Sequence, residues 1–116
     1  MGPPATEPND FLPLHPLELR ILMALADGPS YGTRIVREIE AREASRMKLY
    51  PANLFRRIRD LLGNGLLETC ETPEGADPRR TYLRLTGLGR SVARAEASRL
   101  RELVRDAAGH DLLPEG

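Results

Sequence analysis

Apolar residues recur at offsets of three and four in four stretches of the chain. Between the third and fourth of these stretches the pattern switches to alternation. The first stretch predicts a helix over 16–27, where Leu17, Ile21, Leu22, Ala24 and Leu25 form a broad stripe. Pro16 suits its first position, because the N–H that proline lacks would be unpaired there. Asp27-Gly28-Pro29 stops it. Ser30 is placed to cap a second helix over 31–43, with Ile35, Val36 and Ile39 as a narrow core face. Arg34, Arg37, Glu38 and Arg42 fall outside that face. Leu49-Tyr50-Pro51 opens a third helix over 51–62, and Gly63-Asn64-Gly65 ends it. Residues 66–72 and 80–85 read as two strands around a dense run of turn formers, Pro73-Glu74-Gly75-Ala76-Asp77-Pro78. Thr86 caps a last helix over 87–108, roughly 33 Å long at about 1.5 Å per residue.

The third helix carries the most information. Leu54, Ile58, Leu61 and Leu62 would point into a core, while Asn53, Arg56, Arg57 and Asp60 recur at the same spacing on the other side. Arginine bonds a guanine edge or a phosphate in bidentate fashion, and asparagine can bond adenine. A leucine-anchored helix showing these groups has the make-up of a DNA-reading element; an ordinary solvated face is the plain alternative. The hairpin next to this helix in the chain favours the first reading. Three helices and then a hairpin is the order of a winged helix-turn-helix domain, in which the third helix enters the major groove and the hairpin meets the backbone beside it. Arg79 and Arg80, on the flank of the hairpin, are then set to meet phosphate. The expected class is mainly α (α+β). The expected division is a disordered or loosely held arm at 1–10, a winged-helix domain at 11–86, a dimerisation helix at 87–108 and a frayed tail at 109–116.

Dimerisation is read from the last helix, where Ala93, Ala97, Leu100, Val104 and Ala107 follow a 4-3-4-3 repeat. Such a seam suits a second helix, and a domain of roughly 70 residues would not cover a stripe that long. The alternative is that the helix folds back on its own core.

Composition adds constraints. The 116 residues are enough for one domain, and 41% of them are hydrophobic. Formal net charge is zero, yet 46–90 holds nine basic and five acidic residues while the remainder is correspondingly acidic. One basic surface in an acidic frame fits a chain that meets phosphate on one side only. No apolar run approaches the roughly 18 residues that a bilayer span needs, and MGPPATEPNDF has neither the basic nor the apolar region of a secretory signal. Cys70 is the single cysteine, which fits a reducing compartment; the neighbouring Glu68 and Glu71 would raise its pKa, not activate it. His15, His110 and Cys70 fall on unrelated elements, and Gly87-Leu88-Gly89 lacks a phosphate-loop lysine. No catalysis, cofactor or metal is therefore expected.

Four segments together resemble a known family. LPLHPLELRILMALADGP, YGTRIVREIE, LYPANLFRRIRDLLGNGLLE and RRTYLRLTGLGR are similar in order, spacing and content to a PadR-type transcriptional regulator with a short C-terminal region, over about residues 12–107. The last of these resembles the family's Arg-rich strand followed by Tyr-x-Arg-Leu-Thr-x-x-Gly. The chain departs from the pattern at two places. Thr33 stands where the family has a tyrosine, and Tyr50-Pro51-Ala52-Asn53-Leu54-Phe55 replaces Ser-Pro-Gly-Thr-Leu-Tyr, so that Phe55 lacks a phosphate-bonding hydroxyl.

The resemblance implies a cytoplasmic repressor acting as a homodimer on a pseudo-palindromic operator in double-stranded DNA. Its long last helix would pack on the partner's first-helix region, around Leu17 and Ile21. Tyr50, Pro51 and Phe55 become DNA-side residues by position, and Asn53 and Arg34 are candidates to replace the altered contacts. Some relatives bind flat aromatic ligands with a tryptophan; this chain has none, so a small-molecule effector is left open. The competing function is a winged helix that binds another protein and no DNA, which the neutral net charge and the altered Thr33 and Phe55 favour.

Overall fold

The structure is a computed structural model that describes residues 6–114. Its elements are α1 (Pro16–Ala24), β1 (Ser30–Tyr31), α2 (Gly32–Glu43), α3 (Pro51–Gly63), β2 (Leu67–Cys70), β3 (Tyr82–Leu85) and α4 (Gly87–Gly109). The strands form one antiparallel sheet in the order β1-β3-β2. This is a winged helix-turn-helix architecture with a long C-terminal helix, the class the sequence pattern predicts.

Each helix starts for a local reason. Pro16 opens α1, the His15 Nδ1 accepts the Leu17 N–H at 3.0 Å, and the Glu18 carboxylate accepts the His15 N–H at 2.9 Å. Two donors left over at the helix start are thereby satisfied. The Thr86 hydroxyl does the same for α4, accepting the Gly89 N–H at 2.9 Å while donating to the Gly65 carbonyl at 2.7 Å. α1 ends at Ala24, short of Asp27, because the next amides tighten: Leu25 bonds Leu22 and Ala26 bonds Met23, each at 3.1 Å.

Ser30 does not cap α2. Ser30 and Tyr31 instead pair with Leu83 and Tyr82 as a third strand, which leaves Tyr31 as the residue before the helix. The pairing is with a segment some fifty residues away, so no local signal announces it. The hairpin strands are shorter than predicted; Glu68 lies opposite Arg84 and is ion-paired with it at 2.9 Å.

The core joins all four helices to the sheet. Ile21, Leu22, Leu25, Ile35, Ile39, Leu54, Leu61, Leu66, Leu67 and Val92 are each almost wholly buried, and a buried side chain of this size contributes about 1.5–3 kcal/mol. Arg20 of α1 meets the buried Glu43 of α2 at 2.6 Å. The Arg90 guanidinium donates to the Ala26 carbonyl at 3.1 Å, tying α4 to the end of α1.

The segments expected as a loose arm and a frayed tail are described in part. Pro8–Phe11 forms a 3-10 turn against α4, with Phe11 packed on the core. The Leu14 N–H then donates to the buried Glu96 carboxylate of α4 at 2.7 Å. At the other end, Leu112 N–H bonds the Ala107 carbonyl and Asp111 N–H bonds that of Ala108, both at 3.1 Å, with Asp111 at φ +60. This is a Schellman-type stop that closes the helix. Residues 1–5 and 115–116 of those two segments lie outside the described residues.

The predicted seam is partly displaced. Ile21 is completely buried in its own protomer, whereas Leu17, though largely buried, lines the cavity beside α1. The first half of α4 rests on its own domain through Gly89, Val92 and Glu96, with Ala93 also packed on the core. Its second half carries Leu103 and Val104 about half exposed. The helix therefore folds back over one half and stands free over the other.

Candidate nucleic-acid interface

α3 is fixed by Leu54, Ile58 and Leu61 beneath it, with Leu62 and Phe55 half-buried at the edges. Its open face carries Pro51, Ala52, Asn53, Arg56, Arg59 and Asp60. Arg57 does not share that face. It is half-buried on the flank, its Nε is enclosed with no hydrogen-bond partner among the described residues, and its charge acts on His15 at the start of α1. At about 100° per residue, adjacent Arg56 and Arg57 cannot both stand opposite the core, whereas Arg59 lies on the far side of Arg56 from Arg57. Sequence reading missed Arg59; centring the wheel on Leu54, Ile58, Leu61 and Leu62 would have found it.

At the start of α3, Tyr50 is 54% exposed, with the Lys48 ammonium 5.8 Å from its ring centroid. Phe55 faces α2 instead: a methyl group on Gly32 would come within 3.1 Å of its ring. A glycine at the start of α2 thus lets α3 approach closely, and the Phe55 ring fills the contact.

The α2 start also receives the root of the wing, the β2–β3 connection. Arg80 donates from Nη1 to the Thr33 hydroxyl at 3.0 Å, and its guanidinium lies 4.4 Å from the Tyr31 ring centroid. Arg34 lies over the same ring at 5.1 Å and donates to the Ser30 hydroxyl at 2.8 Å and the Pro29 carbonyl at 3.0 Å. Thr33, one of the two departures from the family pattern, is therefore the anchor for Arg80. Arg79, its chain neighbour, behaves differently. It is paired with Asp77 through two nitrogens at 3.1 and 3.2 Å. Hydrogen bonds from the Arg79 side chain and then its backbone, helped by the charge of Arg80, hold the Asp77 carboxyl below the usual range despite some desolvation.

The arrangement includes cations with no carboxylate paired to them among the described residues. Arg20, Arg46, Arg79, Arg84, Arg99 and Arg105 each meet a carboxylate. Among the described residues no such pair involves Arg34, Arg56, Arg59 or Arg80, which stand on α3, the α2 start and the wing root. A surface of this kind attracts polyanions. Elsewhere, a cavity of about 370 Å³ runs beside α1, lined by Leu14, Leu17, Leu19, Met23, Met47 and Leu100 among others. Among the described residues no helix is long and apolar enough to cross a membrane, and no group of three His, Cys, Asp or Glu side chains is placed to hold a metal ion.

Comparison with known proteins places this geometry. The family model described as "Transcriptional regulator PadR-like family" matches residues 21–95. No curated protein matches the chain. Among solved structures, a PadR family transcription regulator from hypervirulent Clostridium difficile superposes with a TM-score of 0.66 at 16% identity, over 81% of this chain and 96% of that one. A transcriptional regulator from Clostridium thermocellum gives 0.63 at 23% identity, over 81% and 87%. The transcriptional regulator BldR from Sulfolobus solfataricus gives 0.67 at 19% identity, over 87% of this chain and 66% of BldR. At these identities the structural likeness is one of fold.

Proposed function

This chain belongs to the PadR-like family of transcriptional regulators, and on that premise we propose that it is a homodimeric, sequence-specific DNA-binding repressor. The observation that carries the reading is the outer face of α3, with Asn53, Arg56 and Arg59, together with Arg80 of the wing root held on Thr33 at the α2 start; among the described residues these guanidiniums have no carboxylate partner. α3 enters the major groove, where Arg56 and Asn53 reach base edges and Arg59 and Tyr50 meet the flanking backbone. Arg79 joins when a phosphate displaces Asp77, an exchange made easy because the pair is exposed. Arg57, on the flank, steadies α3 and makes at most a backbone contact.

The dimer joins the free half of α4, with Leu100, Leu103, Val104 and Ala107, to the apolar groove beside α1 of a second copy. A two-fold assembly of this kind reads two half-sites, so the operator is pseudo-palindromic.

Fluorescence anisotropy with the DNA upstream of its own gene, run across a salt series, tests the reading. Affinity should fall steeply as salt rises, and Arg56→Ala should cost about 1–3 kcal/mol and relax preference at one base position. Binding that ignores salt, or no binding to any duplex at low salt, would overturn it in favour of a protein-binding module. Replacing Leu100 and Val104 together by Asp should give monomers in sedimentation.

A further inference from the structure

Resting on that DNA-binding reading, we propose that Tyr31 is the positioning residue that holds Arg80 ready for a backbone phosphate, with Arg34 as the second arm of the same seat. Both guanidiniums lie over one ring, at 4.4 Å and 5.1 Å from its centroid. Among the described residues their hydrogen-bond partners are all neutral: the Thr33 hydroxyl for Arg80, the Ser30 hydroxyl and Pro29 carbonyl for Arg34. Each side chain is therefore fixed in place without a carboxylate hydrogen-bonded to it among the described residues. The ring attracts both cations through its electron-rich face. Arg79 shows the contrast, since it is held by Asp77, an acid that offsets its charge.

Tyr31 is itself held from the core side. It pairs with Tyr82 across β1 and β3, and the two rings meet edge to face at 5.6 Å and 79°. Tyr82 is 5% exposed. A chain of fixed groups thus runs from the core through Tyr82 and Tyr31 to Arg80, and onward through Thr33 to the start of α2. An arginine already held in its binding geometry loses less side-chain freedom when it meets a phosphate than one swinging in solvent. The wing root then behaves as a rigid arm of the α2 start, and only the wing tip adapts to the duplex.

The test is a double-mutant cycle on full-length protein, read by anisotropy with a fluorescein-labelled duplex of the DNA upstream of its own gene, from about 50 to about 200 mM NaCl. Tyr31→Phe keeps the ring and should bind as the wild type does. Tyr31→Leu should weaken binding about three- to fivefold, and Arg80→Ala about tenfold with a salt slope lower by about one. The Tyr31→Leu/Arg80→Ala double variant should lose clearly less than the product of the two single losses, because the ring acts mainly through that arginine and only the Arg34 share is left over. Wild-type affinity in Tyr31→Leu, or losses that multiply in the double variant, would overturn the proposal.

A purely structural role for the ring would give the full product of the two losses in the double variant, so the cycle tells the two apart. Thr33→Val loosens Arg80 without touching the ring and should copy Tyr31→Leu in direction, which covers the case in which Tyr31→Leu folds poorly. If the wild type binds no duplex, the DNA-binding reading fails by itself. Positioning is then judged by NMR relaxation of the Arg80 Nε–H, ordered in wild type and Tyr31→Phe and mobile in Tyr31→Leu. Equal mobility in all three sinks it.

Discussion

Replacing Gly89 by alanine tests how the long helix is fastened to the domain. Gly89 sits in the first turn of α4 directly over the Leu66 backbone. A methyl group there would lie 2.0 Å from the Leu66 carbonyl oxygen and 2.9 Å from its carbon. Comfortable carbon–oxygen approaches begin at about 3.3 Å, so the helix would have to lift by more than an ångström. It is not free to lift: Thr86 N–H bonds the same Leu66 carbonyl at 3.1 Å, and the Thr86 hydroxyl links Gly89 to Gly65. The obstacle is backbone, so no rotamer change relieves it. Overpacking of this kind costs up to about 3 kcal/mol, against which alanine returns at most about 1 kcal/mol of helix propensity. The net loss is about 2 kcal/mol, or about 8–16 °C in Tm for a domain of this size. Gly87, two residues earlier, has open space at the same position, and Gly87→Ala should be neutral or stabilising by up to about 1 kcal/mol. Urea unfolding followed by circular dichroism, at one protein concentration because a dimer's stability depends on it, compares the pair. Gly89→Ala as stable as Gly87→Ala would refute the reasoning.

Three further outcomes rest on the same geometry. The buried Glu96 is held ionised mainly by the Arg99 hydrogen bond and also by the Leu14 amide, against the pull of burial, so its pKa in the fold lies below the usual 4.5. The stability it contributes is complete above 4.5 and is lost as pH falls through the lower folded value; Glu96→Gln should cost about 1–2 kcal/mol near neutrality and flatten the acid limb of the unfolding profile. His15 is lowered from 6.5 first by burial and then by Arg57, with Glu18 opposing. Its neutral ring caps α1, so that contribution is present above 6.5 and fades as pH falls through the lower folded value. His15→Asn, which caps at any pH, should remove this part of the dependence of Tm on pH, and an unchanged profile would contradict the cap's role. Finally, Asp77→Asn frees Arg79 and should tighten DNA binding about two- to threefold with a steeper salt slope, while the wing-tip control Glu74→Gln should not; equal effects would mean that only net charge matters.

The sequence by itself determined four helices, a hairpin and the leucines that bury them. Those signals are local and periodic: Leu54, Ile58 and Leu61 repeat every three or four residues, and Pro16 and Thr86 mark their own helix starts. Their family resemblance was legible for the same reason. Tertiary structure decided whatever depends on a partner distant in the chain. Ser30 and Tyr31 became a strand only because β3 arrives beside them, and that arrival brings Arg80 onto Tyr31 and Thr33. The outward arginines of α3, by contrast, were legible in the sequence once the wheel is centred on Leu54, Ile58, Leu61 and Leu62, which puts Arg57 on the flank and Arg59 outside. Glu96 is buried only because the segment after the N-terminal turn folds over it and supplies the Leu14 amide. Periodicity records how a residue repeats along its own element; what that face meets is set by long-range packing, which a one-dimensional pattern does not encode.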